Sequence, residues 1–513
     1  MTQRARKRAR RARARALQQR RRRRGVALIL VLAALTVLTV MLTEIQDESS
    51  AEFGSALAAR DALVAEYAAK SAVNLSRLLI AAEPTIRQSL TLVFALVGGP
   101  RQVPVWQYAD RILGAFNDSD GVQGFASLAG VDPKLGKNLG FTGGGFQLEI
   151  VDEDSKINVN VAARGDAFSQ TRLAAQLIGL IGSPQYSPMF EGRDADGQYT
   201  DRRALCSAII DWADPDQDQA VCDPTSTTAQ QAGAEDSFYQ MLKKPYLRKN
   251  AAFDSLEELH RVRGVSDDFW STFVEPDPDK PDKRIMTVWG QGQVNVNTAN
   301  PQTLLALVCQ ASNNTALMCQ DANEAQKFLM ALTMLRSFMP GLPVFKNGQD
   351  FVSALQQGST AAAAAPGQAA APAGGLLGAG GGSPVAMIMK ALGIQPIPLI
   401  SAAQTQKEVT TESKVFSIYA TGYVHSGKRE SSVHIHAVVD FRGAPTPAQV
   451  AQQLLQQLNP NGTPGANGAV TPPPVTGATQ SPANNNTASG TQTGIQGALK
   501  PGSGGNIVYY RVD

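Results

Sequence analysis

The chain has 513 residues, 43% of them hydrophobic and 18% charged, enough apolar material for roughly two to four domains and too much for a wholly disordered polymer. Its formal charge of +3 hides an asymmetry: residues 1–24 hold twelve arginines, Lys7 and no acid, so the rest of the chain carries about −10. A body that acidic is a poor match for the phosphates of nucleic acid.

Residues 1–25 form a basic leader, and the eighteen residues Val26 to Thr43 that follow carry no charge. At 1.5 Å per residue this run spans about 27 Å, enough to cross the hydrocarbon of a bilayer. The arginine block would be held on the cytoplasmic side, placing everything beyond Glu44 outside the cytoplasm. A cleaved secretory signal would need a shorter apolar run and a small-residue cleavage site, and Glu44-Ile45-Gln46-Asp47-Glu48 offers none. Phe53, Leu57, Val64, Tyr67, Leu75 and Leu78 then recur on one helix face. The spacing predicts one helix that starts as a membrane span and continues as a stem to about Pro84, within a segment 26–100.

Short helices are expected from Pro84 to Val97 and from Trp106 to Phe116. Phe146 to Asp152 alternates as a half-buried strand, Asp152 to Ser155 reads as a turn, and Lys156 to Asn160 is expected to return as its hairpin partner. From 161 to 357 the pattern is mostly helical, with helices over Leu173–Ile181, Ala204–Trp212, Ser255–Val262 and Pro301–Val308. Residues 358–385 are almost wholly Ala, Gly and Pro and form a linker. Strands return in 386–442, over Lys414–Tyr423 and Ser432–Phe441, the second with Val433, Ile435, Ala437, Val439 and Phe441 on one face. Residues 443–513 read as a disordered polar tail, with a helical hint at Val450–Leu458 and Ile507–Tyr510 as a candidate edge strand. A lone hairpin is marginal in water. The separated strands are therefore read as one small antiparallel sheet, begun in 101–160, that carries an inserted helical domain. The fold class is α+β.

Four cysteines fall as two close pairs. In an oxidising compartment the natural bridges are Cys206–Cys222 and Cys309–Cys319, with crossed pairing left open; zinc spacing is absent. Asp211, Asp214, Asp216 and Asp218 crowd the loop between Cys206 and Cys222, with Glu235 and Asp236 downstream. Such carboxylates repel one another unless a hard cation or a basic side chain shares the site. An EF-hand is excluded, because Gln219 stands where the loop needs glycine and Thr225 where it needs the closing Glu; a solvated acidic loop competes with a calcium site. His425, His434 and His436 read as an exposed strand face rather than a metal site. Gly-x-Ser-x-Gly, P-loop and His-Glu-x-x-His patterns are absent, so no enzyme is expected.

The Arg24-Gly25-Val26 junction ahead of an apolar helix resembles the class III signal of type IV pilins and pseudopilins. That resemblance implies a prepilin peptidase that cuts after Gly25 and methylates the new terminus at Val26. Most members carry Glu at the fifth mature position, whereas Leu30 stands there in this chain. Lys156-Ile157-Asn158-Val159-Asn160, Ile209-Ile210-Asp211-Trp212-Ala213-Asp214, Gly233-Ala234-Glu235-Asp236 with Tyr239, and Val294-Asn295-Val296-Asn297-Thr298-Ala299 follow in that order. Together they resemble the minor pseudopilin K family of the type II secretion system, from about Gly25 to Phe441. The leader, the Ala/Gly linker and the tail lie outside the resemblance.

The resemblance implies a pilin-like sheet bearing a large α-domain, loss of the fifth-position Glu, and a place at the pseudopilus tip. Its implied partners are the minor pseudopilins I and J, the major pseudopilin and the prepilin peptidase, with the bulk of the chain in the periplasm and a single pass through the inner membrane. Calcium in the α-domain is implied too, with the acidic residues above as ligands. The stem residues Phe53, Leu57, Val64 and Tyr67 are expected to meet the partners. The rival reading is a membrane-anchored helix-hairpin-helix DNA receptor, built on Ser255–Val265 and Asn295–Leu307. Its phosphate-gripping glycines are largely missing.

Overall fold

The computed structural model describes residues 3–90, 101–114, 117, 143–191, 201–223, 230–231, 236–338, 343–357, 388–389, 391–445 and 504–513. Its N-terminal helix runs unbroken from Gln3 to Ser89, so leader, apolar run and stem are one rod. Pro84 lies inside this helix rather than ending it. Arg87 holds Glu83 one turn below at 2.8 Å and Glu412 at 2.8 Å, so the turn around the proline is tied from both sides. The expected separate helix from Pro84 is thus the last turn of the rod, and residues 91–97 lie outside the described residues.

The rod lies on a four-stranded antiparallel sheet. In spatial order the strands are β1 (Gly144–Asp152), β2 (Val415–Ser426), β3 (Arg429–Asp440) and β4 (Asn506–Val512). The β2–β3 hairpin is tighter than expected: Ser426 pairs with Arg429 across Gly427-Lys428, and Gly427 takes the positive φ (67°) that such a two-residue turn requires. The apolar face read in β3 is borne out, with Ile435, Ala437 and Val439 buried beneath the rod beside Phe146, Ile150 and Phe416.

The rod meets the sheet through its small residues. Ala65, Ala68, Ala69 and Ala72 are fully buried, whereas Phe53 and Tyr67 are exposed. The stripe Phe53–Leu57–Val64–Tyr67 flanks the packed face instead of forming it. Alanine brings the helix axis close enough for main chain to touch main chain. A Cβ added at Gly422 in β2 would sit 1.9 Å from the Ala65 carbonyl oxygen.

Two expectations are corrected here. Lys156–Asn160 does not fold back on β1. The partner of β1 is β2, in register from Gly144–Val424 to Asp152–Phe416, while Ile157–Asn158 pairs in parallel with Met286–Thr287. Asp152 to Ser155 cannot serve as a hairpin turn because its acids are buried and spoken for. Secondly, residues 443–513 are not polar tail throughout: the candidate edge strand Ile507–Tyr510 is borne out within Asn506–Val512, strand β4, which lies antiparallel to β3. The Val450–Leu458 hint lies outside the described residues.

The inserted part holds two adjoining cores. One gathers Ile157 to Val288 around Leu173, Leu177, Trp212 and Phe273; the other gathers Val294 to Val409 around Leu304, Phe328 and Phe351. Met389, Ile394 and Ile397 belong to the second core, so the Ala/Gly/Pro linker falls inside the domain instead of after it. The helices Ala167–Ile181, Arg202–Ala213 and Pro301–Ala311 match expectation to within a few residues, while Ser255–Val262 is a short 3₁₀ helix, Leu256–Arg261.

Candidate functional site

The apolar start of the rod supplies the first functional element. Among the described residues one helix is long and apolar enough to cross a membrane, and none of its apolar window is buried against the protein. Leu30, at the position where the related signals carry Glu, is 65% exposed. The backbone is helical through Gly25 and Val26.

The second element is the joint between sheet and insertion. Asp152 is buried, accepts hydrogen bonds from the Ser413 and Thr298 hydroxyls, and caps the turn through the Asp154 amide at 2.9 Å. Asp154 in turn accepts from the amides of Lys414 (2.8 Å), Val415 (3.1 Å) and Gln291 (3.0 Å). Glu153 pairs with Lys156 at 3.1 Å, both buried, and takes the Thr287 hydroxyl. These carboxylates thus staple the end of β1 to the start of β2 and to the insertion. Burial, with Asp154 beside it, pushes the Asp152 carboxyl up to about 7. From the sequence these acids read as solvated turn residues; an Asp-Glu-Asp run directly after an alternating strand was the available signal.

The two Asn-x-Asn motifs that carried the resemblance have a shared structural job. The first asparagine of each, Asn158 or Asn295, caps the amide of the second through its side-chain oxygen, at 2.9 and 3.0 Å. The second clamps a distant loop by its main chain. Asn160 accepts from the Phe253 amide (2.7 Å) and donates to the Phe253 and Val288 carbonyls (2.9 Å each); Asn297 accepts from the Phe345 amide (2.8 Å) and donates to its carbonyl (3.0 Å). An amide side chain offers one donor end and one acceptor end, which a carboxylate cannot do. Each motif seats one of the two cores.

Both expected disulfides are present, Cys206–Cys222 and Cys309–Cys319. Inside the first, Asp211 accepts from the Ala220 amide at 2.7 Å. Gln170 donates its Nε2 to Asp214 at 3.0 Å and to Asp216 at 3.2 Å. Arg248 donates to the Asp216 carbonyl at 3.0 Å and lies 3.6 Å from Asp236. Asp214 is fully buried; its Oδ1, like the Oε1 of buried Gln170, has no hydrogen-bond partner among the described residues. Burial and mutual repulsion push Asp211 up to about 8 and Asp214 to about 7. Burial therefore favours the protonated form of these carboxyls, an effect that Arg248, the Ala220 amide and the Gln170 amide oppose in part. Asp218 stands apart on the loop, Glu235 lies outside the described residues, and no three His, Cys, Asp or Glu side chains among the described residues converge as metal ligands. The three histidines also stay apart: His436 stacks on Tyr419 (4.2 Å) with its pKa lowered by burial to about 4, while His425 lies near Glu430 at the hairpin end.

A membrane-length helix that continues as the stem of an antiparallel sheet, with a disulfide-bonded helical insertion between two of the strands, is the α+β arrangement expected from the sequence. The insertion supplies the particular relationship. Residues 155–273 match the family model described as type II secretion system (T2SS), protein K. The type II secretion system protein K of Aeromonas hydrophila is 32% identical over 104 residues, 20% of this chain and 27% of that protein. The matched segment thus spans about a quarter of the relative's length. A crystal structure of the GspK–GspI–GspJ complex from the type 2 secretion system of enterotoxigenic Escherichia coli aligns over 59% of this chain and 77% of its own, at 14% identity and a TM-score of 0.32. The resemblance to the protein K family is borne out by the family model over residues 155–273 and by the Aeromonas relative.

Proposed function

We propose that this chain is a minor pseudopilin at the tip of the type II secretion pseudopilus, which starts or caps assembly and supports protein export across the outer membrane. The observation that carries this reading is the union of one continuous apolar rod with a bulky two-core insertion at its head. Helices of sister subunits would pack along the exposed apolar run, and the bulk of the insertion would block addition of a further subunit above. Leu30 fits that position. A carboxylate in lipid is costly unless a neighbour's ammonium pairs with it, and a tip subunit has no neighbour on that side. Phe53 and Tyr67, exposed beside the packed face of the stem, are available to the I- and J-type pseudopilins and to the major pseudopilin. The bulk of the chain would stand in the periplasm, anchored in the inner membrane until extracted into the filament.

Processing by the prepilin peptidase is part of the same proposal. Gly25→Leu is expected to leave the leader attached, read by intact mass of the membrane-extracted chain against a wild type that begins at Val26 with one added methyl group. Wild type retaining residues 1–25 would end the proposal.

Calcium is proposed for the acidic loop. Asp211, Asp214, Asp216 and Asp218, with Glu235 and Asp236, carry the hard oxygen donors the ion favours, and binding would draw them together around it. The orphaned Oδ1 of Asp214 supports it. Calcium would neutralise carboxylates that are otherwise held against their preference. Isothermal titration of chelator-treated protein is expected to show binding that Asp214→Asn abolishes, and heat signals identical for the two proteins would exclude it.

A further inference from the structure

Strand β4 sits where its connection to β3 makes no mechanical sense. Asn506 is registered opposite Asp440, the last residue of β3, so the two strands form an ordinary antiparallel pair. Two to five residues suffice to join such a pair. Here residues 441–505 intervene, and from Gly443 to Leu499 they include no charged side chain. The excursion also returns to its origin: a Cβ on Gly505, which has φ +69°, would lie 3.0 Å from the Asp440 carbonyl oxygen and 3.1 Å from the Phe441 ring. Closing a connection of about 65 residues instead of about 4 is about 60-fold less favourable by chain statistics. The described residues of that stretch meet the fold at its two ends, Phe441 and Ala444 against the sheet core and Gly504 and Gly505 against Arg77. What such a length of chain does permit is reach, since each residue can span up to about 3.3 Å.

The seat of β4 is made by three parts of the molecule. The stem contributes Arg77, whose guanidinium donates to the carbonyls of Gly504 (2.7 Å) and Gly505 (2.9 Å). The sheet contributes the β3 edge, ending in a reciprocal pair in which the Asp513 and His434 amides donate to each other's carbonyls at 2.9 and 3.0 Å. The insertion contributes Trp289, whose ring lies 5.7 Å from that of Tyr509. These contacts recognise a strand mostly by its main chain. The strand itself is lightly held: Ile507, Val508, Tyr510 and Val512 remain 42–48% exposed, and a register irregularity interrupts the ladder between Ile507 and Tyr509. A main-chain seat, a lightly held occupant and an over-long tether are the features of an exchangeable strand.

We propose that the β3 edge, with Arg77 and Trp289, is a strand-binding groove and that Asn506–Val512 is its exchangeable occupant. Released from its own groove, the tail reaches the same groove on a second copy of this chain and links the two by strand exchange.

The test uses the full-length protein in detergent micelles, with a specific protease site inserted between Val470 and Thr471. After cutting, a fluorescein-labelled peptide of residues 504–513 is expected to enter the groove, raising its anisotropy, and an unlabelled copy to displace it. The uncut protein should take up at least about tenfold less, because the tethered strand competes at the high effective concentration of an intramolecular ligand. A competitor with proline at both Tyr509 and Tyr510 should be at least about tenfold weaker, since one of any two successive strand amides faces the partner strand. Failure of the cut protein to take the peptide, or equal competition by the proline peptide, would overturn the groove. Hydrogen exchange on the uncut chain gives a reading independent of cutting. Amides of 506–512 should exchange at least about tenfold faster than those of β2, and equal protection would refute exchange. A chain that takes the peptide yet stays monomeric up to about 1 mM, the range of tether-set effective concentrations, would overturn the second copy as partner.

Discussion

The rod and the sheet approach closely at Gly422, and replacing it with alanine tests how the stem is held. The added methyl would lie 1.9 Å from the Ala65 carbonyl oxygen and 2.6 Å from the Ala69 amide nitrogen, whereas ordinary contact begins at 3.4 Å. The rod must therefore back away by about 1.5 Å at this point, because main-chain atoms of a helix cannot rotate aside as a side chain does. A gap of even 0.5–1 Å forfeits about a quarter to a half of the attraction between packed atoms. The loss runs along Ala65, Ala68, Ala69 and Ala72. Overpacking of a core typically costs about 1–3 kcal/mol, and this site stands at the upper end. The reduced freedom of the unfolded chain returns about 0.4–1 kcal/mol. A net destabilisation of about 2–2.6 kcal/mol is expected, which for a unit of 150–250 residues lowers Tm by roughly 4–10 °C.

Calorimetry of the detergent-solubilised protein reads this directly, with Gly54→Ala as the control, since nothing lies within 4 Å of a methyl there. Alanine at 54 should be neutral or stabilising, by up to about 1 kcal/mol from helix preference. Ala65→Gly should not rescue Gly422→Ala, because the collision is with the peptide oxygen. A Gly422→Ala protein melting within a degree of wild type would refute the close helix–sheet approach described above.

Other outcomes follow from the same structure. Replacing Cys309 and Cys319 with serine is expected to cost about 2–4 kcal/mol, read as a shift in denaturant midpoint that reductant reproduces in the wild type; no shift would show that the bridge adds nothing to the second core. Without calcium, Asp214→Asn should raise Tm at pH 8 by removing a buried charge that is held with effort, and with calcium it should lose any stabilisation the wild type gains. Asp152 keeps its proton when folded up to about 7 but releases it near 3.8 when unfolded. Its contribution is therefore full below pH 4 and is lost as pH rises to 7, at up to about 1.4 kcal/mol per unit. Asp152→Asn should flatten that part of the stability–pH curve in urea melts between pH 4 and 8; an unchanged slope would exclude Asp152 as its source.

Much of this architecture was legible in the sequence, and the reason is periodicity. The apolar run from Val26 to Thr43, the alternation in Phe146–Asp152 and in Ser432–Phe441, and the close cysteine pairs are local patterns whose meaning does not depend on a partner. The Asn-x-Asn motifs flagged the relationship but not their work, because Phe253, Val288 and Phe345 are far from them along the chain. The face of the stem misled for a physical reason. A reading by hydrophobicity favours Phe53 and Tyr67 over alanine, while close packing on a sheet favours the smallest side chain. The acidic turn Asp152–Asp154 misled in the same way, since the hydroxyls and amides that satisfy it come from residues 287–298 and 413–415.

By itself the sequence determined most of the helices and strands, that one helix is soluble in lipid, and that the cysteines fall as two close pairs, all consequences of side-chain pattern over a few turns. Tertiary structure alone decided that β1 pairs with β2 across the whole insertion, that alanines rather than aromatics seat the stem, and that the terminal strand takes the edge of β3. Those choices depend on which main-chain donors and acceptors remain open once every other element is packed, a quantity that no local pattern contains.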